Sequence, residues 1–253
     1  VASSYSGNTE ETLSCIEQAL KKKAKIICIT SGGKLLELAN ENNLDHAKIP
    51  SGIDCPRACL GYSFVQLLFI LNGFGLISNK FIGDLLASIK LIDQQSDNIH
   101  KQAKEIAQQL HHKLPIIYAD NRSGAVATRF QQQINENAKQ ICHVNLFPEM
   151  NHNELVGWEF PENIFSQTAV IIIRTGYDHP RNSVRMNICK LIFEKKCGPV
   201  LEIKATGNSL IEQSIYLIHL LDWVSVYLAE LNEIDPFPVD IINYLKEELA
   251  KVK

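Results

Sequence analysis

Apolar runs and amphipathic stretches alternate along this chain. Leu13, Ile16 and Leu20 recur at helical spacing. Residues 25–30 form an apolar run bounded by Ser31, Gly32 and Gly33, which predicts a buried parallel strand. A helix over 34–42 and a short strand near Lys48 and Ile49 follow. Residues 60–77 are almost all apolar and predict a buried helix at a domain or subunit interface. Tyr62, Ser63, Gln66, Asn72 and glycines interrupt that run and argue against a membrane span. Residues 89–110 carry Ile92, Ile99, Ala103, Ile106 and Leu110 at helical spacing, and His111, His112 and Lys113 end that helix.

A second alternating series starts at Leu114. Strands are predicted over 115–119, 141–146, 168–174 and 200–203. Helices are predicted over 125–139, 180–195, 209–231 and 238–251, with a turn at 120–124. Regular alternation of strand and helix points to an α/β protein with parallel sheets and crossover helices. A boundary near Lys113 gives two domains: 1–112, including the linking helix, and 113–253.

Composition narrows the function. Of 253 residues 45% are hydrophobic and the formal net charge is -3, which suits a globular chain and gives nucleic acid no basic face. Seven cysteines, an odd number, lie mostly in apolar runs. Cys55 and Cys59 have no second pair to complete a zinc site, so free thiols in a reducing cytoplasm are expected.

Two stretches carry candidate chemistry. Ser4, Ser6 and Thr9 flank Gly7 immediately before a predicted helix start, where free N–H groups and the dipole favour an anion. Helix capping is the plainer use of such residues. Glu136 lies near the end of the 125–139 helix, and His152 lies sixteen residues on, past the next strand. Alone, Glu136 reads as an exposed last-turn residue, His152 as a turn residue and Arg57 as a loop cap. Together they supply a carboxylate base, an imidazole and a permanent cation, which moving a proton between adjacent carbons requires. Asp178, His179, Pro180 and Arg181 read mainly as a helix start, and secondarily as an anion contact.

The segment 4–12 resembles the phosphosugar-binding loop of sugar isomerase (SIS) domains. With Asn135-Glu136-Asn137-Ala138-Lys139, Pro148-Glu149-Met150-Asn151-His152-Asn153-Glu154 and Asp235-Pro236-Phe237-Pro238-Val239, it resembles the bifunctional phosphoglucose/phosphomannose isomerases over nearly the whole chain. The resemblance implies two SIS-type (flavodoxin-like) αβα sandwich domains, each with a five-stranded parallel sheet. It also implies a homodimer with its active site at the interface, a sugar phosphate as substrate, and no metal or organic cofactor. The reaction implied interconverts glucose 6-phosphate or mannose 6-phosphate with fructose 6-phosphate through a cis-enediol. By motif, Ser4, Ser6 and Thr9 match the phosphate hydroxyls, Arg57 the cation near the enediolate and Glu136 the base. His152, which can come from the neighbouring subunit, and Lys246 match the ring-opening groups. The family's leading strand and Gly/Ser-rich loop find no match from Val1 onward, so a first domain truncated at its N-terminus is expected. Phe237 stands where the family carries Thr, a position that bears on which C2 epimer fits. The contrasting expectation is an SIS-type sensor that binds a sugar phosphate without turning it over. Neither reading needs nucleic acid or a membrane.

Overall fold

A computed structural model describes residues 1–252, which fall into two compact units, one over Val1–Phe81 and one from Ile82 onward. The first unit runs β1 (Ala2–Ser3), α1 (Glu10–Lys21), β2 (Ile27–Thr30), α2 (Gly33–Glu41), β3 (Asp45–Lys48) and α3 (Leu60–Gly73). Its three strands are parallel, in the order β1-β2-β3. Ile16, Ile26, Cys28, Leu35 and Ala39 form its core.

Helix α4 (Lys80–Leu110) leads to β4 (Leu114–Asp120), α5 (Gly124–Ala138), β5 (His143–Phe147), α6 (Glu162–Phe165) and β6 (Thr168–Arg174). The chain then passes through α7 (Pro180–Phe193), β7 (Val200–Lys204), α8 (Leu210–Leu231) and α9 (Asp240–Leu249). The second sheet is parallel too, in the order β5-β4-β6-β7. Each connection is a crossover helix or loop, as parallel pairing demands. Among the described residues the sheets have three and four strands, fewer than the five that the resemblance implies. After β7 a five-residue loop leads into the 22-residue α8, and the described residues beyond it form α9 and no further strand.

Side-chain alternation builds the layers of the second unit. Ile117, Ala119, Ala169, Ile171 and Ile173 point to one face and pack with Ile99, Ala103 and Leu110 of α4, Phe130 and Ile134 of α5, and Leu217, Leu220 and Val224 of α8. Tyr118, Val170 and Ile172 point the other way, onto Met186, Cys189 and Phe193 of α7. Six of the seven β6 residues are buried, which is why this strand reads as a continuous apolar run. Each aliphatic side chain so buried contributes about 1.5–3 kcal/mol. Helix α4, expected to link the units, packs from Ile99 onward into the core of the second.

Local signals set the helix ends. Pro180 opens α7, and His179 Nδ1 accepts from Arg181 N at 3.2 Å, so this stretch is the helix start that the sequence suggests. Ser209 Oγ accepts from Glu212 N at 3.1 Å and caps α8. Helix α8 is long and apolar enough to cross a membrane, but its inward residues are the core of the second unit.

Most boundaries shift by one to three residues, and three differences are informative. Helix α4 starts nine residues early, because Ile82, Leu86 and Ile89 are exposed and give no burial pattern. Strand β5 starts at His143; Ile141 is exposed and Gln131 Nε2 holds the Cys142 carbonyl at 2.7 Å. Helix α3 ends at Gly73 and buries fully only Leu68, leaving Tyr62 and Phe69 exposed. Hydropathy alone predicted more burial than one chain provides.

Gly7 is fixed by geometry. Its φ is +71°, and a Cβ there would lie 1.8 Å from the Gly32 carbonyl oxygen. Gly7→Ala is expected to cost at least ~2 kcal/mol. A lowered urea midpoint would show it, and an unchanged midpoint would contradict this loop.

Candidate active site

The first part of the site follows β1. Ser4 is buried; its Oγ lies 2.8 Å from Thr9 Oγ1 and accepts from Gly7 N at 3.1 Å. Asn8 Oδ1 accepts from Lys34 N at 3.1 Å, tying the loop to α2. Thr9 occupies the N-cap of α1 but makes no side-chain cap bond. The plainer capping reading holds for position, with Glu10 and Glu11 in the first turn, but the Thr9 hydroxyl is turned to Ser4. Ser6 and Thr9 are exposed beside a helix N-terminus whose N–H groups lack that cap, an arrangement suited to a phosphate.

Tyr5 extends this part. Its hydroxyl accepts from Ile53 N at 3.1 Å, which ties the 50–57 loop to the serine loop. Arg57, half-buried, sits in the 3-10 turn Pro56–Cys59 that closes that loop. The serine loop and the arginine turn are thus joined within the first unit.

The second part lies at the end of α5. Glu136 is half-buried in the last turn. Three residues on, Lys139 adopts φ 49°, the left-handed conformation that ends many helices. Its ammonium donates to the carbonyls of Glu136 at 2.8 Å, Asp235 at 3.0 Å and Pro236 at 3.1 Å. One cation therefore fastens the Pro236–Pro238 segment to the end of α5 and complements the helix dipole there. Asn135, Glu136 and Lys139 line a cavity of about 280 Å³ with Pro238, Val239 and the start of α9. Two motifs almost a hundred residues apart meet here. Helix α9 carries Lys246, exposed, and buries no residue.

Polar contacts join α5 to α8 along the turns that lead to Glu136. Arg129 Nη2 meets Asp222 Oδ2 at 2.6 Å, Asn137 Nδ2 donates to Ser225 Oγ at 2.8 Å, and Asn232 Nδ2 donates to the Ala138 carbonyl at 3.1 Å. These contacts fix α5 against α8 by direction, where apolar packing alone would allow sliding.

His152 ends the 3-10 turn Glu149–His152 and is exposed. Behind it is a network that sequence reasoning missed. Tyr118 Oη donates to Glu154 Oε1 at 2.6 Å, and Trp158 Nε1 donates to Tyr118 Oη at 3.0 Å. His143 Nε2 lies 3.0 Å from Glu154 Oε2, and Asn145 Nδ2 bonds the same oxygen. Burial alone would raise the Glu154 pKa, but hydrogen bonds from Asn145, Tyr118 and His143 outweigh it and hold it below the ordinary value. The available signal was Tyr118, a phenol within an aliphatic strand, which needs a buried partner.

A cavity of about 330 Å³ lies at the ends of β4 and β5, lined by Arg122, His179, Arg185 and Asp120. Asp120 is buried and accepts from Arg122 N at 2.9 Å, His179 N at 3.1 Å and Asn182 Nδ2 at 2.7 Å. Burial works against its charge, yet these donors hold its pKa below the ordinary value. This pocket therefore already contains its anion. All seven cysteines are free, and four of them are buried.

The overall fold is shared with phosphosugar isomerases. A putative phosphosugar isomerase from Clostridium difficile matches 97% of this chain and 73% of its own, at TM-score 0.72 and 15% identity. The family described as bacterial phospho-glucose isomerase C-terminal SIS domain matches residues 99–249. A bifunctional phosphoglucose/phosphomannose isomerase from Caldicellulosiruptor bescii is 42% identical over all of this chain and 76% of its own length. One from Aquifex aeolicus is 38% identical over 98% of this chain and 75% of its own. The chain belongs to the bifunctional phosphoglucose/phosphomannose isomerase family.

The Glu154 network carries a pH signature. An acid whose folded pKa is depressed stabilises the fold fully above its unfolded value, near 4.5 here. That contribution is lost as pH falls through the lower folded value. The urea midpoints of wild type and Glu154→Gln should therefore converge on going from about pH 6 to about pH 3. A constant gap would mean that the carboxylate charge contributes nothing.

Proposed function

We infer that this chain is an aldose–ketose isomerase that interconverts glucose 6-phosphate, and mannose 6-phosphate, with fructose 6-phosphate. The identity of 42% along the full chain to a bifunctional isomerase carries this reading. The meeting of the Glu136 and Pro236–Pro238 motifs around Lys139 supports it.

The assignments follow the chemistry. Ser6 and Thr9 hold the phosphate at the N-terminus of α1, with Ser4 fixing Thr9 from behind. The phosphate, remote from the reacting carbons, lends binding energy that orients the sugar. His152 and Lys246 move the proton from O1 to O5 as the C1–O5 bond breaks. Glu136 takes the proton from C2, leaving a cis-enediolate charged at O1; the O2 proton passes to O1, giving the cis-enediol charged at O2, and Glu136 returns its proton to C1 as the C2 carbonyl forms. A single carboxylate suffices because the planar cis-enediol presents the same face to it at C1 and at C2. Arg57 steadies the charge on the enediolate oxygens with a fork of donors. No step calls for a metal or organic cofactor.

The same reading takes 1–112 and 113–253 as two SIS-type domains, the first with the linking helix and the second with the C-terminal helix. It takes the working protein as a cytoplasmic homodimer with its active site at the interface. Free thiols suit that compartment. Exposed Tyr62 and Phe69 on α3, and Ile241 and Leu245 on α9, give a second copy apolar surface to cover.

Glu136→Gln tests the base. Turnover should fall by about 10²–10⁴-fold. Fructose 6-phosphate affinity should stay nearly unchanged, and deuterium from heavy water should no longer enter C2 of the aldose products. A variant that still exchanges this hydrogen at the wild-type rate would refute the assignment.

A further inference from the structure

We propose that Glu154 is a positioning residue for the reaction: it holds the turn that presents His152. The proposal rests on the ring-opening role given above to His152. The turn itself spans only Glu149–His152, and one 3-10 turn has little stability of its own. It is held from both sides. Before His152, Met150 is fully buried in the core with Phe147 and Met186. After His152, Glu154 reaches down to two strands at once. Its Oε1 accepts from Tyr118 of β4, and its Oε2 accepts from Asn145 and faces His143, both of β5. The backbone closes the segment, with Leu155 N donating to the Met150 carbonyl at 3.0 Å and Gly157 N to the Glu154 carbonyl at 2.9 Å.

The anchor beneath is rigid. Tyr118 is fully buried, stacks on Phe193 at 5.1 Å between ring centres, and receives the Trp158 indole N–H. Its hydroxyl therefore has its donor direction fixed toward Glu154. Both Glu154 oxygens must act as acceptors, which only a carboxylate provides. A glutamine would turn an NH₂ toward at least one of these donors. The imidazole two residues away would then lose one of its two supports, while its own chemistry stayed intact.

The experiment is a double-mutant cycle on the full protein. Glu154→Gln, His152→Ala and the double variant are compared with wild type in the conversion of glucose 6-phosphate to fructose 6-phosphate. Glu154→Gln should lower kcat by about 10–100-fold while KM changes by less than about twofold. In the His152→Ala background the same change should cost almost nothing further. Tyr118→Phe keeps the core volume and withdraws one donor; it should show a smaller loss with the same dependence on His152. It also serves if Glu154→Gln does not fold. Losses that multiply with that of His152→Ala would overturn the proposal and leave the isomerase reading standing. So would full activity in a folded Glu154→Gln. A wild type without turnover, or His152→Ala at wild-type rate, would overturn the functional reading and the proposal together.

Discussion

The second unit depends on the burial of β6 on both faces. Its side chains alternate between a thick layer built from α4, α5 and α8 and a thinner one built on α7. That alternation fixes the register of β4 and β5 too, since a slip of one residue would exchange the two layers. Helix α5 is seated on one face by Phe130 and Ile134, and the segment after β5 is seated on the other by Met150. The candidate base and the candidate imidazole thus come from opposite layers of one sheet. Each is delivered near a chain reversal, where a rigid scaffold commonly carries its chemistry.

Polar contacts then refine what apolar packing leaves loose. The Lys139 ammonium gathers three carbonyls at the end of α5. Asn137, Ser225, Arg129 and Asp222 fix that helix against α8. Glu154 does the equivalent on the other layer. Three of these groups sit beside a candidate reactive residue: Asn137 is next to Glu136, Lys139 is three positions from it, and Glu154 is two from His152. Motif neighbours here hold a shape, and that explains why the residue types flanking the reactive ones are so polar.

Much of this was legible in the chain. The β6 boundaries appear as predicted because an uninterrupted buried strand has one reading. The Glu136 and His152 segments stood out because a carboxylate and an imidazole flank one predicted strand and because their motifs resemble those of the isomerase family. Three things could not be read. Glu154 looked like the tail of a motif, since its partners Tyr118, His143 and Asn145 become neighbours only when β4 and β5 pair. The role of Lys139 needs the 235–236 carbonyls, almost a hundred residues away. Helix α6 has four residues, fewer than a hydrophobic period can reveal. The exposure on α3 could not be read either, because hydropathy measures a wish for burial and does not say which chain will satisfy it.

The Asp120 pocket and the serine loop solve one local problem in opposite ways. Both gather backbone N–H groups at the start of helices. In the second unit the balancing negative charge is part of the polypeptide, so the order of those loops is independent of anything dissolved around them. In the first unit, on the function proposed above, that charge belongs to the substrate phosphate. On that reading, order in the serine loop follows by mass action how much of the sugar phosphate is present. One half of the molecule carries its own balancing charge, and the other takes it from its substrate.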